Sequence, residues 1–481
     1  MQKQPTITHP LIAMKTKVLF NSLIIFALGF LCSCNGETNG SDYNIMSFGA
    51  VDSEDIDNAD AIQDAIDACS ENGGGSVIFP AGKTFMSGPL HLRSNVDLHF
   101  EPGSRLLANP DESIYHESAF GENEGEGMMW LSGKDLENVS ITGTGTIDGN
   151  GVAFMGAELD DSYELKPVTT FDPRPHVLTL INCKKINISD ITITGSAYWT
   201  VHLVGCYDAA ISDISLLNNL KIRNGDGIDL DHSKKIRITG CFIESGDDCI
   251  CLKNRREYEE YGPCRDIVVT NCIMTSRSCA IKIGSENMDS IDHVLFDNCI
   301  IRNSNRGIGI QNRDEGTVSD VTFANMSVEC LLHSDVWWGK AEPIYVTSYR
   351  RAPGNHKDAG WRFPKGAREG SCGVVSRINF INVSCLSENG CFIGGETPEK
   401  VTDLTFRNVD IRLKKFTTWP GGVYDKRPCD GEGFVNAPVY GFYIDGASDL
   451  TFTDCRIYSS DMDASQFGGD YKITNAFGIK K

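Results

Sequence analysis

Two short acidic segments contain the residues best suited to chemistry. They read Asn-Gly-Asp-Gly at residues 224–227 and Gly-Asp-Asp-Cys at residues 246–249, and each directly precedes a short apolar strand pattern. Asp226 and Asp248 both lie two residues before the first residue of their strand, and Asp247 adjoins Asp248. If the two strands are neighbours in register, about 4.8 Å apart, the carboxylates repel each other and at least one pKa rises.

A trio of carboxylates without metal-binding histidines suits acid–base cleavage of a glycosidic bond. One protonated acid donates to the leaving oxygen, while ionised partners activate a water molecule on the opposite face of the sugar. The spacing alone leaves two other interpretations open. Both segments are common bend sequences, and clustered carboxylates also bind calcium.

The elements that position these segments follow from a six-residue phrase that recurs along the chain: apolar, any, apolar, any, Asn/Asp/Gly, apolar. Its copies are residues 186–191, 236–241, 267–272, 294–299, 321–326, 378–383, 404–409 and 450–455, with a weaker copy at 209–214. Repeats of this length predict one coil of a right-handed parallel β-helix per copy, and the two long steps predict coils that carry insertions. Alternation along a strand points positions one, three and six inward.

The fifth and sixth positions of the phrase have distinct roles. Asn, Asp and Gly tolerate left-handed backbone conformations, so the fifth position predicts the bend between two sheets. The sixth position contains Cys241, Cys272, Cys299 and Cys455 among aliphatic residues. A cysteine in such a column packs as a small apolar side chain, so we expect no metal site there.

An amphipathic segment precedes the repeat. In residues 57–69 the apolar side chains of Ala61, Ile62, Ala65, Ile66 and Cys69 share one helical face. Because the open end of a solenoid needs a cover, this segment predicts a cap helix at the N-terminal end, and Gly-Gly-Gly-Ser-Val-Ile-Phe-Pro at 73–80 is expected to enter the first coil.

The acidic segments resemble the Asn-x-Asp-Gly and Asp-Asp motifs of glycoside hydrolase family 28, the polygalacturonase family. Further similarity lies in Ser-Phe-Gly-Ala at 47–50, Arg-Pro-His-Val at 174–177 and Tyr-Trp-Thr-Val-His at 198–202. It extends from about Asn44 to the C-terminal coils. The resemblance implies an inverting hydrolase of pectic, galacturonate-containing chains, with Asp247 as the general acid and Asp226 and Asp248 holding the water. Asn224 is expected to contact the substrate.

Two motifs of that family are missing. Its Gly-His-Gly element aligns with Ser-Cys-Ala at 278–280, and its Arg-x-Lys pair, which grips a substrate carboxylate beyond the cleavage point, aligns with Gly-Ile-Gln at 309–311. The leaving-side sugar is therefore either neutral or held elsewhere.

Counting along the coils indicates which residues could replace the missing Arg-x-Lys pair. Lys253 falls in line with Gln311, Lys282 in the column of Gly309, and Arg306 at the end of the column of Asp226 and Asp248. We therefore predict that Lys253, Lys282, Arg306 and Gln311 bind the substrate. The simpler alternatives are a surface ion pair of Lys253 with Asp231 and direct pairing of Arg306 with Asp248.

Both insertions combine aromatic and basic residues. The first contains Trp337, Trp338, Tyr345, Tyr349 and Trp361 with Arg350, Arg351, Lys357, Arg362 and Lys365, and the second contains Trp419, Tyr424, Lys426 and Arg427. Aromatic rings stack on sugars and arginines bind carboxylates, although such loops also pack on their own rings. Large walls of this kind favour exo-action or a short branched substrate.

The N-terminus and the charge indicate where the protein acts. Lys15, Lys17, an apolar run at 18–31 and Leu-Cys-Ser-Cys at 31–34 predict a signal peptide with a lipobox, lipidation of Cys34 and a start at Met14. We expect a leader at 1–34 and a single β-helix domain at 35–481. The protein would be an exported outer-membrane lipoprotein of a Gram-negative bacterium, anchored in the membrane by lipid.

The formal net charge of −21 argues against nucleic acid as a partner. We expect a monomer that acts on pectic poly- or oligosaccharides, with no cofactor and no metal. Three alternatives remain: a calcium-dependent pectate lyase, a hydrolase of a rhamnose-containing or other branched pectic linkage, and a glycan-binding surface lipoprotein without catalysis.

Overall fold

The computed structural model describes residues 41–120, 126–157, 165, 173–334, 337–351 and 372–481. The predicted leader with Met14 and Cys34 lies outside these residues. So do Lys357, Trp361, Arg362 and Lys365 of the first insertion.

Each coil contributes one parallel strand to a sheet that we call the front sheet. The two strands that directly follow the acidic segments belong to it. Among the described residues it has 12 strands. They are Leu90–His91, Met128–Lys134, Pro175–Ile181, Val201–Val204, Ile228–Asp231, Ile250–Asn254, Cys279–Asn287, Arg306–Asn312, Ile344–Ser348, Cys391–Gly395, Val439–Asp445 and Phe467–Thr474. Each strand pairs in parallel with that of the next coil, so the predicted right-handed parallel β-helix is confirmed.

The rest of each coil consists of two shorter strands on either side of a bend. Those before the bend are Ser41–Asn44, Gly75–Phe79, Val96–Phe100, Glu137–Gly143, Lys184–Ser189, Tyr207–Ser212, Lys234–Thr239, Cys264–Thr270, Ser290–Asp297 and Ser448–Thr453. Those after it are Ser53–Asp57, Thr84–Ser87, Arg105–Ala108, Thr146–Asp148, Thr192–Thr194, Ser215–Leu217, Phe242–Ser245, Ile273–Ser276, Ile300–Ser304 and Arg456–Asp461. Three long strands continue through the bend: Thr317–Cys330, Val375–Ser387 and Val401–Lys414.

The recurring phrase sets the register of these strands. Its first residues pair from coil to coil in the order Ile186, Ala209, Ile236, Ile267, Val294, Val321, Ile378, Leu404 and Leu450. The predicted bend is also confirmed, because the fifth position is left-handed throughout, with φ of 59° at Asn271 and 55° at Asn298. Asparagines in this column donate to one another, as in Asn298 Nδ2 to Asn271 Oδ1 at 2.6 Å.

The core contains columns of like residues. Phe296, Phe323, Phe380, Phe406 and Phe452 stack with ring centroids 4.8–5.3 Å apart. The cysteines at the sixth position are unpaired and lie in or beside this core, as predicted.

The cap helix runs from Ala59 to Glu71 and buries Ile62, Ala65, Ile66 and Cys69, with Ala61 partly buried against the same core. A strand not anticipated from the sequence, Ser41–Asn44, precedes it and pairs with Gly75–Phe79. Short 3-10 helices are Ile45–Phe48, Glu112–Ile114, Gly151–Phe154, Arg256–Tyr261 and Pro398–Lys400, and an antiparallel hairpin joins Val423–Asp425 to Phe434–Asn436. The described part of the chain includes no helix with the length and apolar character needed to cross a membrane.

Candidate active site

The front sheet brings the two acidic segments together as predicted. Its strands pair in register from Ile228 through Ile250 and Ile281 to Ile308. The residues that lie two places before these four positions therefore form one column, which contains Asp226, Asp248, Cys279 and Arg306.

Asp226, Asp247 and Asp248 form one buried cluster. Each offers a carboxylate oxygen within 4.8 Å of the others, and their exposed fractions are 3%, 9% and 1%. The Thr200 amide donates to the Asp226 carbonyl at 2.9 Å and the Gly227 amide to the Asp248 carbonyl at 2.8 Å. The backbone that carries the trio is therefore fixed by neighbouring coils.

Glycine permits the close approach of these turns. A Cβ at Gly246 would lie 2.1 Å from the Ile222 carbonyl oxygen, and one at Gly227 would lie 2.4 Å from that of Cys249. Both contacts are far too short for a side chain, so the two turns require glycine at these positions.

Asp247 is the trio member with a pKa in the range that suits an acid catalyst. Burial, and then repulsion by Asp248, raise its pKa to about 6, against the opposing effects of Lys282, the Ser278 hydroxyl and the Asn224 amide. That amide donates to Asp247 Oδ2 at 3.2 Å. The contact made by Asn224, a residue predicted to bind substrate, thus comes from its backbone.

The pKa of Asp226 is also raised. Burial, followed by repulsion from Asp229, Asp247 and Asp248, raises its pKa well above the ordinary range, and Lys253 opposes this only in part. A fourth carboxylate, Asp229, therefore belongs to the site. The sequence contained a signal for it, since Asp229 follows the Asn-Gly-Asp-Gly segment at an outward strand position.

Lys282 contacts the trio directly. Its Nζ lies 2.7 Å from Asp248 Oδ2, and its side chain is 12% exposed. Calcium is also held by clustered carboxylates, but here a lysine ammonium already supplies a positive charge to Asp248.

Lys253 occupies the predicted position but has a different partner. Its Nζ lies 2.7 Å from Asp229 Oδ1 and 3.6 Å from the ring centroid of Trp199. The alternative of a surface pair with Asp231 is wrong, since Lys253 is only 3% exposed. Asp231 instead accepts the Arg255 amide at 2.9 Å. Burial raises the pKa of Asp229 to about 7, and Lys253 opposes that rise.

Arg306 is paired away from the trio. Its Nε and Nη2 each lie 3.2 Å from a carboxylate oxygen of Glu342, and its guanidinium carbon lies 3.7 Å from the Tyr345 ring centroid. Since Ile308 pairs with Ile344, Glu342 is the next residue in the column. The expectations that the column ends at Arg306 and that Arg306 could pair with Asp248 are therefore wrong.

Gln311 is likewise engaged. Its side-chain amide donates to the backbone carbonyl of Arg427 in the second insertion. Of the four residues predicted to bind substrate through this face, only Lys282 makes a contact with the aspartate trio.

Aromatic residues cover the front sheet on the N-terminal side of the trio. The Phe120 ring lies 5.2 Å from His176 and 5.0 Å from Trp199, and the Arg255 guanidinium lies 4.0 Å above it. The Tyr258 hydroxyl donates to the Ala119 carbonyl. The sequence pointed to His176 and Trp199 only as parts of family motifs, and it did not single out Phe120, which lies in no motif.

A second aromatic cluster covers the C-terminal side. Tyr345 pairs with Gly309 on one side and Phe392 on the other, in the front-sheet column of Lys282. Tyr345, Phe392, Tyr424 and Tyr443 form one buried cluster. Tyr345 and Tyr424 are fully buried, so they pack on neighbouring rings and are not available to stack on a sugar.

Comparisons with known proteins agree with this geometry. A profile of the family "Glycosyl hydrolases family 28" matches residues 69–332, more than half of the chain. A probable polygalacturonase of Vitis vinifera is 30% identical over 312 residues, 60% of this chain and 61% of that protein, less than two thirds of its length. An exopolygalacturonase of Zea mays is 24% identical over 63% of this chain and 74% of its own.

Solved structures show the same fold. The family 28 exopolygalacturonase of Yersinia enterocolitica has a TM-score of 0.68 at 18% identity, covering 92% of this chain and 78% of its own. An exopolygalacturonase from Thermotoga maritima has a TM-score of 0.62 at 20% identity, covering 87% and 92%. With the profile match and the acidic trio in register, the chain belongs to the glycosyl hydrolases of family 28.

Proposed function

We propose that the protein hydrolyses glycosidic bonds in pectic, galacturonate-containing poly- or oligosaccharides. The observation that carries the proposal is the buried trio, in which burial and the neighbouring Asp248 raise the pKa of Asp247 to about 6, and the Lys282 ammonium contacts Asp248. Asp247 donates its proton to the leaving oxygen, while Asp226 and Asp248 hold the attacking water and Asp248 accepts the proton that the water loses. Acid and water-binding groups in one cluster are what this reaction requires.

The stereochemical course is proposed to be inversion, on the strength of the family motifs. Inverting pairs usually stand about 6.5–9.5 Å apart, and retaining pairs about 5–5.5 Å. The trio's oxygens lie within 4.8 Å, so the attacking water would lie beside the carboxylates and not between them. Proton NMR of the first product decides: the inverted anomer supports the proposal, and the retained anomer refutes it.

We further propose exo-action on a short segment of the chain. The support is the cover on both sides of the trio, by Phe120 and its neighbours and by the cluster around Tyr345. Cover on both sides would limit the number of sugars that bind in line with the front sheet. Relatives from Zea mays and Cochliobolus carbonum, both described as exopolygalacturonases, agree with this proposal.

A second candidate is hydrolysis of a linkage whose leaving-side sugar is neutral. Lys253, Lys282 and Arg306 each have a carboxylate within 3.2 Å, so their charges are already compensated. At the position of the missing arginine, a Cβ on Gly309 would lie 2.7 Å from Cys279 Sγ. None of these three cations therefore has an uncompensated charge with which to bind a carboxylate on the leaving-side sugar.

The two candidates differ in their response to substrate charge. If Lys253 grips a galacturonate carboxylate, Lys253→Met lowers kcat/KM about 10- to 150-fold on the acid substrate, the effect of one charged hydrogen bond. It then largely spares a carboxyl-reduced analogue. Equal effects on both substrates would favour the neutral leaving-side sugar.

The leader supports a proposal about location. We propose that residues 1–34 direct export, that Cys34 carries the lipid, and that residues 35–481 form one domain acting as a monomer at the outer membrane. The support for export and lipidation is the order of the leader, in which basic residues are followed by an apolar run and by Leu-Cys-Ser-Cys.

Product analysis on a panel of pectic oligosaccharides tests the main proposal. We expect saturated products, release of mono- or disaccharides from one end, and no effect of chelator. Asp247→Asn serves as the inactive control, and Asp190→Asn, at an exposed bend, serves as the active one. Unsaturated products with activity that calcium restores would establish a lyase instead, and binding without products would establish a glycan-binding protein.

A further inference from the structure

The ion pair between Lys282 and Asp248 is the contact in the site that the family motifs do not explain. The histidine and the Arg-x-Lys pair of those motifs are replaced here by Cys279, Gly309 and Gln311. Lys282 is therefore the only cation among these front-sheet positions that touches the catalytic trio in the described structure.

The geometry of the pair is built into the fold. Lys282 pairs with Cys251 on the preceding coil, three residues after Asp248. Its Nζ lies 2.7 Å from Asp248 Oδ2, and the two side chains are 12% and 2% exposed. A lysine ammonium this deeply placed needs a partner of opposite charge, and Asp248 provides it.

The ionisable groups around the pair define the effect of the ammonium. Lys282 interacts most strongly with Asp248, and also with Cys251 and Asp247. Asp248 is faced from the neighbouring turns and strands by Asp226, Asp229, Asp247, Cys249, Cys251 and Cys279. Lys282 therefore interacts with Asp229, Asp247 and Asp248, and its direct contact is with Asp248, whereas the second ammonium of the site, that of Lys253, pairs with Asp229.

We propose that Lys282 is a positioning residue that keeps Asp248 ionised and correctly oriented, so that the proton of the Asp247–Asp248 pair resides on Asp247. Adjacent carboxylates take different roles in acid–base catalysis when their environments separate their protonation. This inference rests on the proposed hydrolysis for its kinetic consequences, but the ion pair itself does not. It assigns Lys282 a role other than gripping a substrate carboxylate.

Kinetics distinguish the two roles of Lys282. We expect Lys282→Met to lower kcat about 10- to 150-fold, the effect of one charge-assisted hydrogen bond, with KM nearly unchanged. The loss should be equal on galacturonate and carboxyl-reduced substrates. Because the ammonium opposes the rise in the pKa of Asp247, its removal should also shift the alkaline limb of the pH–rate profile to higher pH.

Matched variants complete the kinetic test. Lys282→Arg keeps the charge and should recover most of kcat. Lys472→Met removes a lysine of the same front-sheet column on the last strand, away from the trio, and should behave as wild type. A rise in KM confined to the acid substrate, with an unshifted pH profile, would overturn the proposal in favour of substrate binding.

Stability provides a readout that needs no substrate. Without the ammonium, the folded carboxylate pair keeps a proton to higher pH than the unfolded chain does, so stability falls as pH rises. We expect the deficit in Tm of Lys282→Met to be larger at pH 8 than at pH 5, and Asp248→Asn to relieve it in the double variant. A deficit that is independent of pH, or that Asp248→Asn does not relieve, would refute the ion-pair role even if the protein hydrolyses no pectic substrate.

Discussion

Asp247→Asn should produce an enzyme that is inactive yet more stable than the wild type at neutral pH. The pKa of Asp247 rises from 3.8 to about 6 because the carboxyl is buried and lies beside Asp248. That rise corresponds to about 3 kcal/mol of preference for the protonated form. Asparagine has nearly the same shape, never ionises, and keeps an oxygen for the Asn224 amide.

The sign of the effect follows from proton binding. Between pH 4 and pH 6 the folded chain holds a proton on Asp247 that the unfolded chain has released, so wild-type stability falls as pH rises through this range. Above pH 6 the full penalty, up to about 3 kcal/mol, remains. The variant avoids it, so its advantage should be absent near pH 4, grow up to pH 6 and stay constant to pH 8.

Chemical denaturation at pH 4, 6 and 8 measures this advantage, and sugar release measures the loss of activity, which should be at least ~100-fold in kcat. Asp190→Asn, the control at an exposed bend with φ of 63°, should change stability little at any of these pH values. A variant that is less stable than the wild type at pH 8, or whose advantage does not depend on pH, would refute the account of Asp247 as a buried carboxyl beside a charged partner. Near-normal turnover would refute its role as the acid.

Three further predictions concern the walls, the leader and the buried Asp229. Phe120→Ala should open the N-terminal side of the site and add longer products to the digest, detected by chromatography, whereas Phe120→Leu should keep the wild-type pattern; an unchanged digest from Phe120→Ala would show that this wall does not limit the products. Labelled fatty acid should enter the expressed protein and be absent from Cys34→Ala, and unchanged labelling of that variant would exclude the anchor. Asp229→Asn leaves the Lys253 ammonium buried without its partner, so unfolding should cost about 3–5 kcal/mol less, and adding Lys253→Met should recover part of the loss; a single variant as stable as the wild type would contradict the pairing.

The architecture was predictable because a single local pattern repeats. Inward apolar positions and a bend residue at fixed spacing determine the register, and register alone places Asp226 above Asp248. The helix from Ala59 to Glu71 was predictable for a similar reason, since its apolar face is continuous. The strand Ser41–Asn44 was missed because it lacks the phrase.

The partners of the cations were not predictable from register. Counting along coils gives the column of a residue, but not the direction in which a long side chain reaches. Lys253 is in line with Asp231 yet pairs with Asp229. Glu342 could not be anticipated as the partner of Arg306, because it lies in an insertion where the phrase gives no count.

The unpaired cysteines of the core have a consequence for how the protein must be made. All sixteen cysteines of the described residues carry free thiols, and burial raises the pKa of those such as Cys249 and Cys330 well above the ordinary range. Thiolate is the form that reacts with oxidants, so these buried thiols are poor targets in the finished molecule. A newly made chain has no such protection, since its thiols are exposed until the coils close. An oxidant present at that stage would cross-link residues that belong in the interior, so folding should give the highest yield when reductant is present first and is removed only afterwards.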